Sequence, residues 1–130
     1  MIKHLALLLV LLAQEKPREI KSPITPEQSL AEWEARPGLR IELVASEPDV
    51  QSPVAAAFDE NGYLYVVEML DYPVYDKSKP PRGRVKRLED KDGDGRYETV
   101  VVFAEELLMA QGVLPWKGGI LVTQAPNVLF

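Results

Sequence analysis

The chain of 130 residues has no cysteine and a single histidine, His4. Without thiols it holds no disulfide, no Cys-based zinc site, no thiol nucleophile and no cysteine-linked haem within these residues. With one histidine at its start it is almost without the side chain most often used as a general base. Basic charge is also short. Fifteen Lys and Arg face twenty Asp and Glu, a net charge of -5, which leaves no basic face to neutralise a phosphate backbone and excludes nucleic acid as a partner. Aromatic residues make up only 8% of the chain, yet 46% hydrophobic and 27% charged residues are ordinary for a globular protein of one domain.

Long apolar runs are scarce too. Residues 5–13 (LALLLVLLA) fall well short of the roughly 20 residues that cross a bilayer, so no stable membrane span is expected. The run follows Lys3 and His4 and gives way at once to the polar stretch QEKPREIKS, which is the layout of a secretory signal peptide. Cleavage is expected near Ala13, although Leu11 suits the small-residue pattern poorly, and a buried apolar helix is the alternative reading. Residues 1–13 are therefore read as a signal peptide, and the protein as exported, periplasmic or at the cell surface.

Residues 14–38 read as a linker and a short helix. Thr25 can cap the helix, Pro26 suits its first position and Gln28 completes a capping box. Pro37 and Gly38 should end it by Arg36, with Trp33 docking it onto the rest of the protein. Residues 39–45 then alternate apolar and polar side chains with period two and predict a strand. Beyond Pro53 short apolar runs are closed by Gly, Pro, Asn and Asp, which predicts a meander with strands at 54–58, 63–67, 84–88 and 99–103. Residues 104–110 fit strand or helix.

The pattern then repeats. Ser52-Pro53-Val54-Ala55 matches Gln111-Gly112-Val113-Leu114, and Gly62-Tyr63-Leu64-Tyr65-Val66 matches Gly119-Ile120-Leu121-Val122-Thr123, at separations of 59 and 57 residues. A unit of this size suits a four-stranded propeller blade. Residues 39–130 are accordingly read as an all-β, incomplete β-propeller domain of about one and a half blades, with Asn127 starting a third strand of the second blade. Chance likeness between two hairpin-rich segments is the competing reading. An open stack would leave an apolar sheet face and an edge strand uncovered, so self-association or incomplete folding is expected of it alone.

Asp90, Asp92, Asp94 and Glu98 stand at positions 1, 3, 5 and 9 of a turn with Gly95 at position 6. Calcium takes six to eight oxygens at about 2.3–2.6 Å, and alternate residues of a tight turn can supply them, with the Arg96 carbonyl at position 7 adding one. The loop is no EF-hand, because position 12 is Val101 and the flanks read as strands. It resembles instead the calcium hairpins of propellers. The same residues also suit a solvated turn.

Residues 69–82 form a long insertion between the second and third strands, where the second repeat has only Gln124-Ala125-Pro126. Long loops on rigid scaffolds tend to carry binding functions, and Asp71, Tyr72, Tyr75 and Arg82 could stack on and hydrogen-bond a sugar or a cofactor ring. An ordinary surface loop is the alternative. Glu68 and Gln124, at equivalent strand ends, could point into a central site. In a meander the Asp90 turn lies at the end opposite this loop, which gives calcium a structural role. Trp116, in a tight hairpin on the calcium side, reads as inter-blade packing.

The segments RPGLRIELVASEP, SPVAAAFDENGYLYVVEMLDYP, RGRVKRLEDKDGDGRYE and GVLPWKGGILVTQAP, in that order, together resemble the N-terminal domain of the membrane-bound dehydrogenase family of PVC-type haem-binding proteins, from Arg36 to Phe130. That domain is similar to the glucose/sorbosone dehydrogenase propellers. The resemblance implies a six-bladed propeller in an exported oxidoreductase acting on sugars or related alcohols, with PQQ or a haem as electron acceptor. It further implies, as partners, the remaining blades, helical repeats and a cytochrome c domain downstream. It assigns no catalytic residue here, and a calcium-stabilised extracellular module that binds a glycan or a protein without chemistry is the alternative.

Overall fold

A computed structural model describes residues 23–130. The expected signal peptide and most of the linker lie outside these residues. Thr25 caps α1 (Pro26–Ala31): its hydroxyl accepts the Gln28 N–H at 3.2 Å, and the Gln28 side chain accepts the Thr25 N–H at 2.9 Å. The helix stops five residues before the expected Arg36 and buries none of its side chains. So short a helix has few internal hydrogen bonds to offset the cost of nucleation, and the capping box holds it together with the Glu27–Arg96 ion pair. Trp33 falls beyond its end. It is 68% exposed, and so does not dock the helix as expected.

Seven strands follow. β1 (Pro53–Phe58), β2 (Leu64–Glu68), β3 (Gly83–Glu89) and β4 (Thr99–Leu107) form an antiparallel sheet in sequence order. β5 (Gly112–Trp116), β6 (Gly119–Gln124) and β7 (Asn127–Leu129) form a second. The ambiguous residues 104–107 extend β4, through register shifts opposite Gly83 and Val85. Gly83 is required there, because a Cβ on it would lie 2.1 Å from the Leu107 carbonyl oxygen. The β5–β6 hairpin turns at Lys117 and Gly118, with φ of 47° and 79°. That pair of positive values is the backbone of a two-residue turn whose twist matches the strands.

Residues 39–45 are not a strand, which corrects the expectation from their alternation. A strand exists only through a ladder, and among the described residues this stretch has one backbone bond to a distant element, from the Tyr97 N–H to the Val44 carbonyl. Its far end acts as a cover instead. Val44, Ala45 and Val50 pack on Leu64, Val66 and Leu88, which share one face of the first sheet. The opposite face carries Tyr65, Val67 and Val85. These merge with Ile120 and Val122 of the second sheet, and with Leu107 and Ala110, into the main core.

The ladders also shift the correspondence between the two repeats. Val66 pairs with Ala56 and Val122 pairs with Val113, while Gly62 and Gly118 both turn at positive φ ahead of β2 and β6. Leu64, Val66 and Glu68 therefore correspond to Ile120, Val122 and Gln124, one residue away from the Leu64 to Leu121 match suggested by the sequence. With side chains alternating every second residue, one step exchanges the faces. In the corrected frame the same face of each sheet is covered by what precedes it in the chain: residues 44–50 for the first sheet, the first sheet itself for the second.

Candidate functional site

The antiparallel order places the 69–82 loop and the starts of β1 and β5 at one end of the sheets. The Asp59 and Asp90 turns lie at the other. At the loop end, Asp71 is 7% exposed and accepts the Arg82 N–H at 2.7 Å and the Arg82 Nε at 3.1 Å. The Arg82 guanidinium also donates to the Leu70 carbonyl. The Arg82 N–H, ahead of the guanidinium, holds the Asp71 carboxyl below the usual carboxylate range against the upward push of burial. These bonds close the base of the loop. Above them, Asp71, Val74, Tyr75, Asp76, Lys79, Pro80 and Arg82 line a cleft of about 310 Å³.

Tyr75 is held in that cleft by its hydroxyl, which donates to the Lys79 carbonyl at 2.9 Å. Asp76 accepts the Ser78 hydroxyl at 2.7 Å and the Ser78 N–H at 3.0 Å, which keep its carboxyl below the ordinary range. Tyr72 is not among the lining residues. Its side chain is 72% exposed. So the expected group divides: Asp71, Tyr75 and Arg82 are brought together, and Tyr72 stands apart on the surface.

Glu68 and Gln124 do not face an open site. Glu68 is fully buried: one oxygen accepts the Gln51 N–H at 2.7 Å and lies 3.0 Å from Lys86 Nζ, and the other accepts the Arg84 Nε. Lys86 also donates to the Asp49 carbonyl. Burial is the largest influence on the Glu68 carboxyl and raises it, but Arg84, the Gln51 N–H and Lys86 outweigh burial and hold it below the ordinary range. Gln124 does the equivalent work without charge. Its Oε1 accepts the Leu108 N–H at 2.9 Å. Gln51 and Leu108 each precede a residue at positive φ, Ser52 (46°) and Met109 (51°), so the two strand-end side chains hold the two segments that lead into β1 and β5 in the same way.

Sequence reasoning missed Arg84, Lys86 and Gln51. The alternation in GRVKRLE places Arg84 and Lys86 on one face with Leu88, and two cations on a core-facing stripe require a buried anion. That signal was available. Glu68 lies directly across from Arg84 in the ladder.

At the opposite end, Asp90, Asp92 and Glu98 bring carboxylate oxygens within 4.8 Å of one another. The Asp94 carboxylate does not join them. Asp94 accepts the Arg96 N–H at 2.7 Å, and the Arg96 guanidinium reaches Glu27 at 3.3 Å. The Asp90 oxygens accept the Gly93 and Gly95 N–H groups at 2.7 and 2.8 Å, and the Gly95 N–H leads in holding this carboxyl below the usual range. The donors are all oxygens, as a hard cation prefers, but three carboxylates are fewer than the six or more ligands calcium takes. Trp116 meets Phe130 edge-on at 6.2 Å and carries Lys117 over its ring at 4.5 Å, remaining 48% exposed. Among the described residues no helix is long and apolar enough to cross a membrane.

A family model described as a domain of unknown function (DUF7133) matches residues 25–130. The chain belongs to that family. No curated protein matches it, and no solved structure does.

Proposed function

We propose that this DUF7133 member forms the opening blades of a six-bladed β-propeller in an exported oxidoreductase acting on sugars or alcohols. One observation carries the propeller: equivalent faces of the two sheets are each covered by the preceding segment of chain. Head-to-tail contacts of that kind repeat, and they close into a ring when the rotation per unit allows. The oxidoreductase part rests on the resemblance of four ordered segments to the dehydrogenase propellers. The remaining blades and a cytochrome c domain are its partners in this reading, with PQQ or haem taking the electrons.

The 69–82 loop is the binding end. Tyr75 offers a ring, Asp76 and Lys79 offer an acceptor and a donor, and the Asp71–Arg82 pair holds the cleft in shape. Glu68 and Asp71 are both ion-paired, so neither is free to take a proton from an alcohol. In this reading the chain binds and orients substrate, and the base comes from another blade. The Asp90 turn, at the far end, takes calcium as a structural ion through Asp90, Asp92 and Glu98, with Asp94 and the Arg96 carbonyl joining once the turn closes on the metal.

The pairing of both carboxylates favours a second reading, an extracellular module that binds a glycan or a protein without chemistry. The two part in one experiment. The protein exported by its native host is incubated with aldoses and polyols, and both the reduction of a redox dye and the quenching of tyrosine fluorescence are followed. Sugar-dependent dye reduction supports the oxidoreductase. Quenching without dye reduction supports a glycan-binding module, and neither response to any sugar refutes the oxidoreductase and the glycan-binding readings alike.

A further inference from the structure

The segments that lead into β1 and β5 are held by side chains at corresponding positions, yet one holder is a carboxylate and the other an amide. Glu68 faces Arg84 and Lys86 on β3. From the covering segment it meets the Gln51 N–H, while the Gln51 side chain and the Asp49 carbonyl meet the two cations. On β1 its ladder partner is Pro53, which does not titrate. Gln124 meets only the Leu108 N–H among the described residues.

We infer that Glu68 and Gln124 are two copies of one latch, and that acid releases only the charged copy, lifting the 44–51 strap from the first sheet while the β4–β5 crossover stays closed. Protonating Glu68 removes the one anion between Arg84 and Lys86. The cations then repel each other across a buried gap, and Lys86, itself buried, must move toward water. The route outward is through the strap, because Asp49 and Gln51 are what seal it. Lifting the strap uncovers Leu64, Val66 and Leu88, the face that residues 44–50 occupy. An amide at position 124 does not change charge with pH, so the β4–β5 crossover has no such response. The strap is thus an acid-sensitive cover on one sheet face, built into the fold whether or not the oxidoreductase reading holds.

Amide resonances of the ¹⁵N-labelled full chain, followed as pH is lowered, test this directly. The Gln51 amide should shift together with those of Val44, Ala45 and Val50, at a pH below the ordinary carboxylate range, while the Leu108 amide keeps its position. Glu68→Gln should remove the acid response of Gln51. Gln124→Glu, at a half-buried site outside the charged cluster, should give Leu108 an acid response it lacks. The inference is overturned if Gln51 and Leu108 shift together in the unmodified chain, if Gln51 does not shift, if Gln124→Glu leaves Leu108 unmoved, or if all amides vanish at one pH in a single unfolding step.

Discussion

Replacing Glu68 with alanine should be among the costliest single truncations on this face of the sheet. The side chain is fully buried, and its loss leaves Lys86, whose side chain is 7% exposed, facing Arg84 with no anion between them. Breaking a buried ion pair by removing one partner costs about 3–5 kcal/mol. The Gln51 N–H loses its acceptor as well, which adds about 1 kcal/mol or more if water does not reach it. Against a total stability of about 5–15 kcal/mol for a small domain, that is a large share. Urea unfolding of the full chain followed by far-UV circular dichroism at pH 7 measures it, with the exposed Glu32→Ala as control, expected within about 0.5 kcal/mol of the parent. A triple variant, Glu68→Leu with Arg84→Met and Lys86→Met, removes every charge of the cluster and should recover most of the loss, since apolar replacement of a whole buried network is often neutral or better. The carboxyl is held below its unfolded value, so its contribution is complete above that value and disappears as pH falls through the folded one. The gap between parent and Glu68→Ala should therefore narrow in acid. A loss under about 1 kcal/mol for Glu68→Ala, or a triple variant as weak as the single one, would show that the cluster is solvated and the reasoning wrong.

Gly83→Ala should destabilise by about 1–3 kcal/mol or more, because the new Cβ meets the backbone oxygen of Leu107 rather than a side chain that can turn away; an unchanged melting temperature would contradict that contact. Leu88→Ala, at a fully buried position, should cost about 2–5 kcal/mol in the same urea experiment. If the Asp90 turn binds calcium only when folded, ten times Kd should stabilise the protein by about 1.4 kcal/mol. Asp92→Ala should abolish that gain, and identical melting in calcium and in chelator would remove the site. Expressed in a secreting bacterium, the mature chain should begin near Gln14 by intact mass, and full-length mass in the cytoplasm would exclude the leader.

The strands of the meander were legible because each is closed by a residue with one local task. Asp59 accepts the N–H groups of Asn61 and Tyr63, both at 2.9 Å, and Gly62 and Gly118 turn at positive φ. Such signals act within a few residues, so they survive without knowledge of the fold. The capping box at Thr25 and Gln28 is of the same kind. Residues 39–45 show the limit of alternation: Leu39, Ile41 and Leu43 carry the period of a strand, but a ladder needs a second strand, and none lies beside them among the described residues. Trp33 fails for a related reason. Its docking was inferred from a helix longer than the one that forms.

The site was less legible than the fold because its members act across the ladder rather than along the chain. Asp71 and Arg82 are eleven residues apart and Glu68 and Lys86 eighteen, so no local pattern joins them; β2–β3 pairing does. The repeat shows how one residue decides a face. Matching Leu64 to Leu121 maximises likeness of letters, yet it sets a side chain packed under residues 44–50 against one on the opposite face of its sheet. Matching Glu68 to Gln124 sacrifices that likeness and aligns instead two acceptors, two donating N–H groups and two left-handed residues, Ser52 and Met109. Three kinds of constraint agree on the second frame and only residue type favours the first. What recurs between the two units is therefore a hydrogen bond that fixes where the chain joins its next sheet. A carboxylate can make that bond only if cations accompany it into the core, which is why Arg84 and Lys86 interrupt an otherwise apolar face.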